Sequence, residues 1–179
     1  MSTVLLDSSA MRRTLGRIAH EILEANQGGD DLVVIGVLRG GYPVAKRLAF
    51  LMTQVEGTTI PCGKVDISRF RDDTKSEEDE SEVPFQVNGK HVVLVDEVIF
   101  TGRTIRAAID AIFKFGRPSR ISLAVLIDRG HRELPIQPDF CGKQVVTERT
   151  DHIKVRTSEG GEEEGAWQYT ADELEALVR

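Results

Sequence analysis

The stretch "VVLVDEVIFTGRTIRAA", Val92 to Ala108, sets two adjacent acids, Asp96 and Glu97, at the end of an apolar run and Thr101-Gly102-Arg103-Thr104 just beyond them. A loop between a strand and a helix leaves backbone N–H groups without intrahelical partners, which makes an anion site. Gly102 lets the backbone approach a phosphate closely, and Thr101 and Thr104 add hydroxyl donors. The loop has neither the spacing and lysine of a Walker A motif nor a GxGxxG pattern. Acids beside an anion site suit a ligand that carries a phosphate at one end and vicinal hydroxyls next to it, as ribose 5-phosphate does. Carboxylates accept hydrogen bonds from both hydroxyls, and they can hold a metal or stabilise positive charge developing on the sugar. The bland alternatives are a plain capped helix start for the loop and a solvated strand end for the acids.

Buried strands must position these groups. "LVVIGVL" (Leu32–Leu38), "HVVLVDEV" (His91–Val98) and "RISLAVLID" (Arg120–Asp128) are continuous apolar, β-branched runs of strand length, the pattern of strands covered on both faces. Between them, "YPVAKRLAFLM" and "IRAAIDAIFKFG" have helical spacing, with Pro43 suited to a first turn and Gly116 and Pro118 as stops. Ahead of them, "SSAMRRTLGRIAHEILEAN" is an amphipathic helix with Ser8 or Ser9 available as cap. Alternating strands and helices predict an α/β fold with a mostly parallel sheet, whose ligands bind at the carboxyl ends of the strands. The loops after Leu38, Val98 and Asp128 all lie there.

Residues 66–88 break this grammar. They carry five acids between Glu77 and Glu82 and few apolar residues, which predicts a flexible loop over about 68–84, either a lid or an idle excursion. "SEGGEEEG" reads as a solvated turn or linker, and "TADELEALVR" as a short C-terminal helix over about 170–179 with a Thr170–Glu173 capping box.

The 179 residues predict one domain spanning the whole chain. Charged residues at 29% and apolar ones at 40% are globular composition, with no membrane-length apolar run and no secretory leader, so the cytoplasm is expected. Cys62 and Cys141 have no CxxC spacing, and the four histidines form no ligand set, so no metal cage of protein side chains is expected. A net charge of −6 does not advertise a nucleic-acid binder but leaves room for a local basic patch.

An apolar strand, paired acids and a Thr-Gly-Arg-Thr loop resemble the phosphoribosyl-diphosphate signature of the type I phosphoribosyltransferases. "RRTLGRIAHEILE", "VDISRFRDD", "FGRPSRISLAVLIDRGHRELPI" and "DFCGK" extend the resemblance over nearly the whole chain, and it is then to the PyrR family of bifunctional pyrimidine-operon regulators and uracil phosphoribosyltransferases. The resemblance implies Mg²⁺-assisted transfer of ribose 5-phosphate from phosphoribosyl diphosphate to uracil, giving UMP and pyrophosphate, with the Mg²⁺ carried by substrate. It implies that Val98, Ile99, Phe100, Thr101, Gly102, Arg103 and Thr104 form the phosphoribosyl-diphosphate loop, and that Asp96 and Glu97 hold the ribose hydroxyls. Arg39, Gly40 and Gly41 would form the pyrophosphate loop, Arg69 and Arg71 would close over the diphosphate, and Ile127, Asp128 and Arg129 would lie at the base. Asp96, Glu97, Arg39 and Arg71 are the expected catalytic set.

Two departures stand out. Glu97 occupies a position where the family usually has Asp, and "VLRGG" replaces the more usual Thr-Arg-Gly. The resemblance further implies binding of pyrimidine-operon leader RNA, tuned by UMP or UTP, through Arg17, His20, His131, Arg132 and Lys143, in a homodimer or higher homo-oligomer. Ala25 and Gln137 stand where family members often have arginine. A purine acceptor, or a regulator with weak or no catalysis, remains open from the residues.

Overall fold

Every residue of Leu32–Val37 is buried, so this strand is covered on both faces. The computed structural model describes residues 2–74, 76–158 and 163–178. In chain order the elements are β1 (Thr3–Leu6), α1 (Ser8–Asn26), β2 (Leu32–Val37), α2 (Gly41–Glu56), β3 (Cys62–Val65), β4 (His91–Ile99), α3 (Arg103–Ile112), β5 (Arg120–Asp128), β6 (Phe140–Gln144), β7 (His152–Arg156), β8 (Gly165–Tyr169) and α4 (Ala171–Val178). A five-stranded sheet has the order β3-β2-β4-β5-β6, and all its pairings are parallel. The fold is α/β, as the three apolar runs predict.

Alternate residues of the strands feed two cores. Val34, Val93, Val95 and Leu126 pack under α1 and α2 with Met11, Leu15, Leu48 and Met52. Val33, Ile35, Leu94 and Leu123 pack under α3 with Ile105, Ala108 and Ile112. Because β2, β4 and β5 are neighbours, the loops that follow them emerge side by side at one end of the sheet.

Several local expectations are corrected. Asp7, not Ser8 or Ser9, caps α1, accepting from the Ala10 N–H at 2.7 Å; the two serines lie inside the first turn and accept from Arg12 and Arg13. β4 runs one residue beyond the expected end, to Ile99, with both acids inside it as expected. Helix α3 starts at Arg103 and ends at Ile112, short of Gly116. A second, antiparallel sheet of order β1-β8-β7 was not foreseen; its strands are short and half exposed, without a long apolar run.

Among the described residues between β3 and β4, structure is limited to turns and one bridge, Lys64 with Glu82. This excursion is tethered at its ends by the buried Ile67 and Val87, with Phe70, Val83 and Phe85 packed on the second core. Of "SEGGEEEG", residues 159–162 lie outside the described residues. The capping box of the last helix is present, Thr170 N–H donating to Glu173 at 2.9 Å and Glu173 N–H to Thr170 Oγ1 at 3.4 Å. No described helix is long and apolar enough to cross a membrane.

At the opposite end of the sheet, His91 is held between Asn26 and Ser122 at 2.7 and 2.8 Å. The Asn26 amide nitrogen donates to the carbonyl oxygens of Gly28 and Asp30, so its oxygen faces His91, whose Nδ1 carries the proton while Nε2 accepts from Ser122. Burial, reinforced by the nearby Arg120, lowers the imidazole pKa from 6.5. A lowered folded value means that stability is full above 6.5 and is lost as pH falls through the lowered value. Urea unfolding of the wild-type chain is therefore expected to show falling stability between about pH 7 and 5, with a shallower fall in His91→Gln.

Candidate active site

The acid pair is enclosed by glycine. A Cβ on Gly41 would stand 2.5 Å from the Val95 carbonyl oxygen and 2.9 Å from the Asp96 Cα, and one on Gly40 would stand 2.2 Å from Glu97 Oε1. Gly36 makes the same allowance for the start of α2, where a Cβ would meet the Tyr42 Cα at 2.5 Å. The "RGG" turn after β2 is thereby pressed directly against the end of β4. The Leu38–Arg39 peptide within this turn is cis.

Asp96 is buried and accepts from the Glu97 N–H at 2.9 Å, whereas the buried Glu97 Oε2 has no partner. Desolvation, with the neighbouring Glu97 carboxylate adding to it, raises the Asp96 pKa well above the usual carboxyl range. Such a pair accepts a cation, or the hydroxyls of a sugar, without rearranging the chain.

The anion loop lies beside it. Gly102, at φ +91°, precedes α3 and has no side chain to cap it, while Thr101 Oγ1 accepts from the Arg103 N–H at 3.3 Å. A concavity of about 90 Å³ is lined by Asp96, Val98, Ile99 and Phe100 together with Thr101, Gly102, Thr104 and Ile105. It opens next to a larger cleft of about 420 Å³ lined by Ile67, Arg71, Asp72, Asp73, Thr101, Arg103 and Thr104. Asp96 and the loop thus face one space.

On the other flank the Arg129 guanidinium lies 4.0 Å from the centre of the Phe100 ring, and His131 meets that ring edge-on at 5.7 Å. Arg129 donates to the Glu148 and Arg149 carbonyl oxygens at 2.9 and 3.3 Å, while its buried Nε has no partner, and burial lowers its pKa. Ile127 is wholly buried in the core, so it offers no side chain to a ligand. The segment after β6 went unnoticed in the sequence: Thr147 donates to the Arg129 carbonyl oxygen at 3.1 Å, and Arg149 reaches the Phe100 ring and Glu133. "VVTERTD" carries no pattern that distinguishes it from an ordinary polar turn.

Carboxylates already engage the arginines expected to bind phosphates. Arg39, whose side chain is 81% exposed, pairs with Glu80 at 3.0 Å. Arg103 pairs with Asp72 at 2.6 Å and Glu133 at 3.4 Å, and Arg71 with its neighbour Asp73. Arg69 donates to the Glu77 carbonyl oxygen at 3.0 Å.

The five residues expected to bind RNA are distributed around β6. Arg17 donates to the Gly142 carbonyl oxygen at 2.6 Å and pairs with Glu21 at 2.8 Å; Lys143 donates to the Leu5 carbonyl oxygen at 2.9 Å; and His20 is exposed on α1. His131 Nε2 donates to the Thr147 carbonyl oxygen at 2.8 Å. Arg132 points inward, pairing with Asp128 at 2.6 Å, and is only 13% exposed. Burial pushes the Cys62 thiol up to about 12 and raises Cys141 as well, so neither is a thiolate at neutral pH. Among the described residues, no three His, Cys, Asp or Glu side chains cluster as a metal cage.

Paired acids and a Thr-Gly-Arg-Thr loop at the carboxyl end of a parallel sheet are the arrangement of a phosphoribosyltransferase domain, and similar proteins agree. Residues 1–159 match the family described as the phosphoribosyl transferase domain. Solved hypoxanthine phosphoribosyltransferases share the fold. That of Trypanosoma cruzi has a TM-score of 0.66 at 19% identity, covering 80% of this chain and 81% of that one. That of Staphylococcus aureus scores 0.67 at 18% identity, covering 83% and 79%. Curated relatives are much nearer in sequence. The bifunctional protein PyrR of Geobacter sp. (strain M21) is 52% identical over 159 residues, 86% of this chain and 90% of its own. That of Pelotomaculum thermopropionicum is 51% identical over 174 residues, 94% and 96% of the two chains. This chain belongs to the PyrR family.

The enclosure makes two outcomes separable. Gly41→Ala clashes with backbone and is expected to cost about 1–3 kcal/mol in denaturant titration, whereas Gly40→Ala displaces only the Glu97 carboxylate and should leave stability nearly unchanged. Asp96 stability has the opposite pH sign to His91: with a raised folded value, it is full below the ordinary 3.8 and is lost as pH rises through the raised value. Asp96→Asn is therefore expected to melt several degrees higher than the unliganded wild type at pH 8, with the gap closing toward pH 4, at about 2–4 °C per kcal/mol for a chain of this size.

Proposed function

We propose that this protein is a uracil phosphoribosyltransferase, forming UMP and pyrophosphate from uracil and phosphoribosyl diphosphate, and a uridine-nucleotide-responsive, RNA-binding regulator of pyrimidine-operon expression. The observation that carries the enzymatic part is that Asp96 lines the same concavity as Thr101, Gly102 and Thr104. Backbone N–H groups and threonine hydroxyls there suit a 5-phosphate, and the acids suit the ribose hydroxyls. The regulatory part rests on family membership and on the exposed basic groups near β6.

In the reaction the bond from the sugar C1 to the pyrophosphate oxygen breaks and a bond from C1 to uracil N1 forms, with loss of the N1 proton. The sugar passes through an oxocarbenium-like state, so the side chains position, shield from water and balance charge rather than attack. Asp96 and Glu97 lie where they would stabilise that positive charge. Gly40 and Gly41 let the pyrophosphate loop come close to it. The unpartnered Glu97 oxygen fits a Mg²⁺ bound mainly through substrate, which when present would neutralise the leaving pyrophosphate. The partly exposed Phe100, with the buried Arg129 packed on its ring, would border a planar base. The segment around Arg69 and Arg71 would act as the lid, exchanging its internal carboxylate partners for the diphosphate.

Steady-state assay with phosphoribosyl diphosphate, Mg²⁺ and uracil is expected to yield UMP; turnover with hypoxanthine but not with uracil would overturn the base assignment. Removing one internal competitor, in Asp72→Asn, should lower KM for phosphoribosyl diphosphate by about 1.5–5-fold, the range of an exposed ion pair of roughly 0.2–1 kcal/mol. For the regulatory part, a gel shift of a pyrimidine-leader hairpin should be strengthened by UMP and weakened by Lys143→Ala. Absence of a shift at low salt would remove it.

A further inference from the structure

The residues after β5 form a strap along the loop that leads into α3. Arg129 N–H donates to the Ile99 carbonyl oxygen at 3.2 Å, and the Glu133 and Leu134 N–H groups donate to that of Thr101 at 2.9 and 3.2 Å. The carbonyl between them, that of Phe100, is taken by a side chain: Arg132 Nη1 donates to it at 2.8 Å. The same guanidinium donates through Nε to the Ile136 carbonyl oxygen at 2.8 Å and through Nη2 to Asp128 Oδ2 at 2.6 Å, and the other Asp128 oxygen accepts from the Gly130 N–H at 2.9 Å. Both side chains of the ion pair are largely buried, 13% and 8% exposed. Arg132 therefore ties three points together: the end of β5, the far end of the strap, and the residue immediately before Thr101.

Only a guanidinium has enough donors, in a fixed plane, to do this at once. A lysine could keep the pairing with Asp128, but it would lose at least one of the carbonyls. The ion pair is held rigidly in a partly desolvated place where each bond to a charged group counts for more than at the surface.

Given the phosphate and base assignments proposed above, on which this inference rests, we propose that Arg132 is a positioning residue that fixes the separation between the base side and the phosphate loop. Ligands that span both then depend on it, while ligands held by the phosphate loop alone do not. The same contacts turn the guanidinium away from solvent, which argues against Arg132 as a contact for RNA phosphates.

Isothermal titration of wild type, Arg132→Lys and Arg132→Gln with UMP and with ribose 5-phosphate tests this. UMP spans both sides, and ribose 5-phosphate reaches only one. Both variants are expected to raise the UMP Kd about tenfold or more, the scale of lost hydrogen bonds to a charged group, while the ribose 5-phosphate Kd stays within about twofold. Should the Gln variant fail to fold in a thermal melt, the Lys variant carries the comparison, since its charge still faces Asp128. Equal weakening of the two ligands, or unchanged UMP affinity in Arg132→Lys, overturns the inference. Loss of hairpin binding with unchanged UMP affinity also overturns it and makes Arg132 an RNA contact. A wild-type chain that binds neither ligand contradicts the proposed function itself, and this inference falls with it.

Discussion

Two adjacent carboxylates at the dry end of a central strand are the constraint around which the rest is arranged. A buried carboxylate costs several kcal/mol unless it is protonated or paired, and here Asp96 is buried with Glu97 beside it. The surroundings do not relieve that cost with a lysine or arginine. They press Gly40 and Gly41 against the pair and leave a Glu97 oxygen unpartnered. A fold that keeps such an arrangement keeps a charge deficit in place for something cationic or hydroxylated, and neighbouring strands deliver the other groups to the same end of the sheet.

Much of this was legible in the sequence, because the informative signals are local. The three apolar runs announced three parallel strands, the 3.6-residue spacing of α1 and the Thr170–Glu173 box announced their helices, and the Asp96 to Thr104 stretch contained both halves of the concavity. What was missed depends on contacts distant in sequence. β1 pairs with β8 across about 160 residues, and although β7 and β8 are near in sequence, no run in the three is long or apolar enough to declare it. Thr147 and Arg149 join the site only because β6 turns back toward Phe100. Arg132 shows the same limit from the other side: an arginine in a polar segment reads as a surface charge, and only the fold reveals that Asp128, Phe100 and Ile136 surround it.

The acidic excursion is explained in the same way. As sequence it is a block of like charge that should repel itself. In the structure its acids are distributed over separate cations, Glu80 on Arg39, Asp72 on Arg103 and Asp79 facing Arg69 and Lys114. Any polyanion that reaches Arg39 or Arg103 meets a carboxylate already in place, so its binding is an exchange of one anion for another rather than the capture of a free cation.

The pairing of β1 with β8 has a consequence for the order in which the molecule is completed. Thr3 lies opposite Gln168 and Leu6 opposite Ala166, so β1 waits for a partner made about 160 residues later. The parallel sheet, the acid pair and the Thr101–Thr104 loop are all encoded between those two strands. The nascent chain can therefore assemble the parallel sheet before its small second sheet exists, and closing that sheet joins strands separated by everything between them.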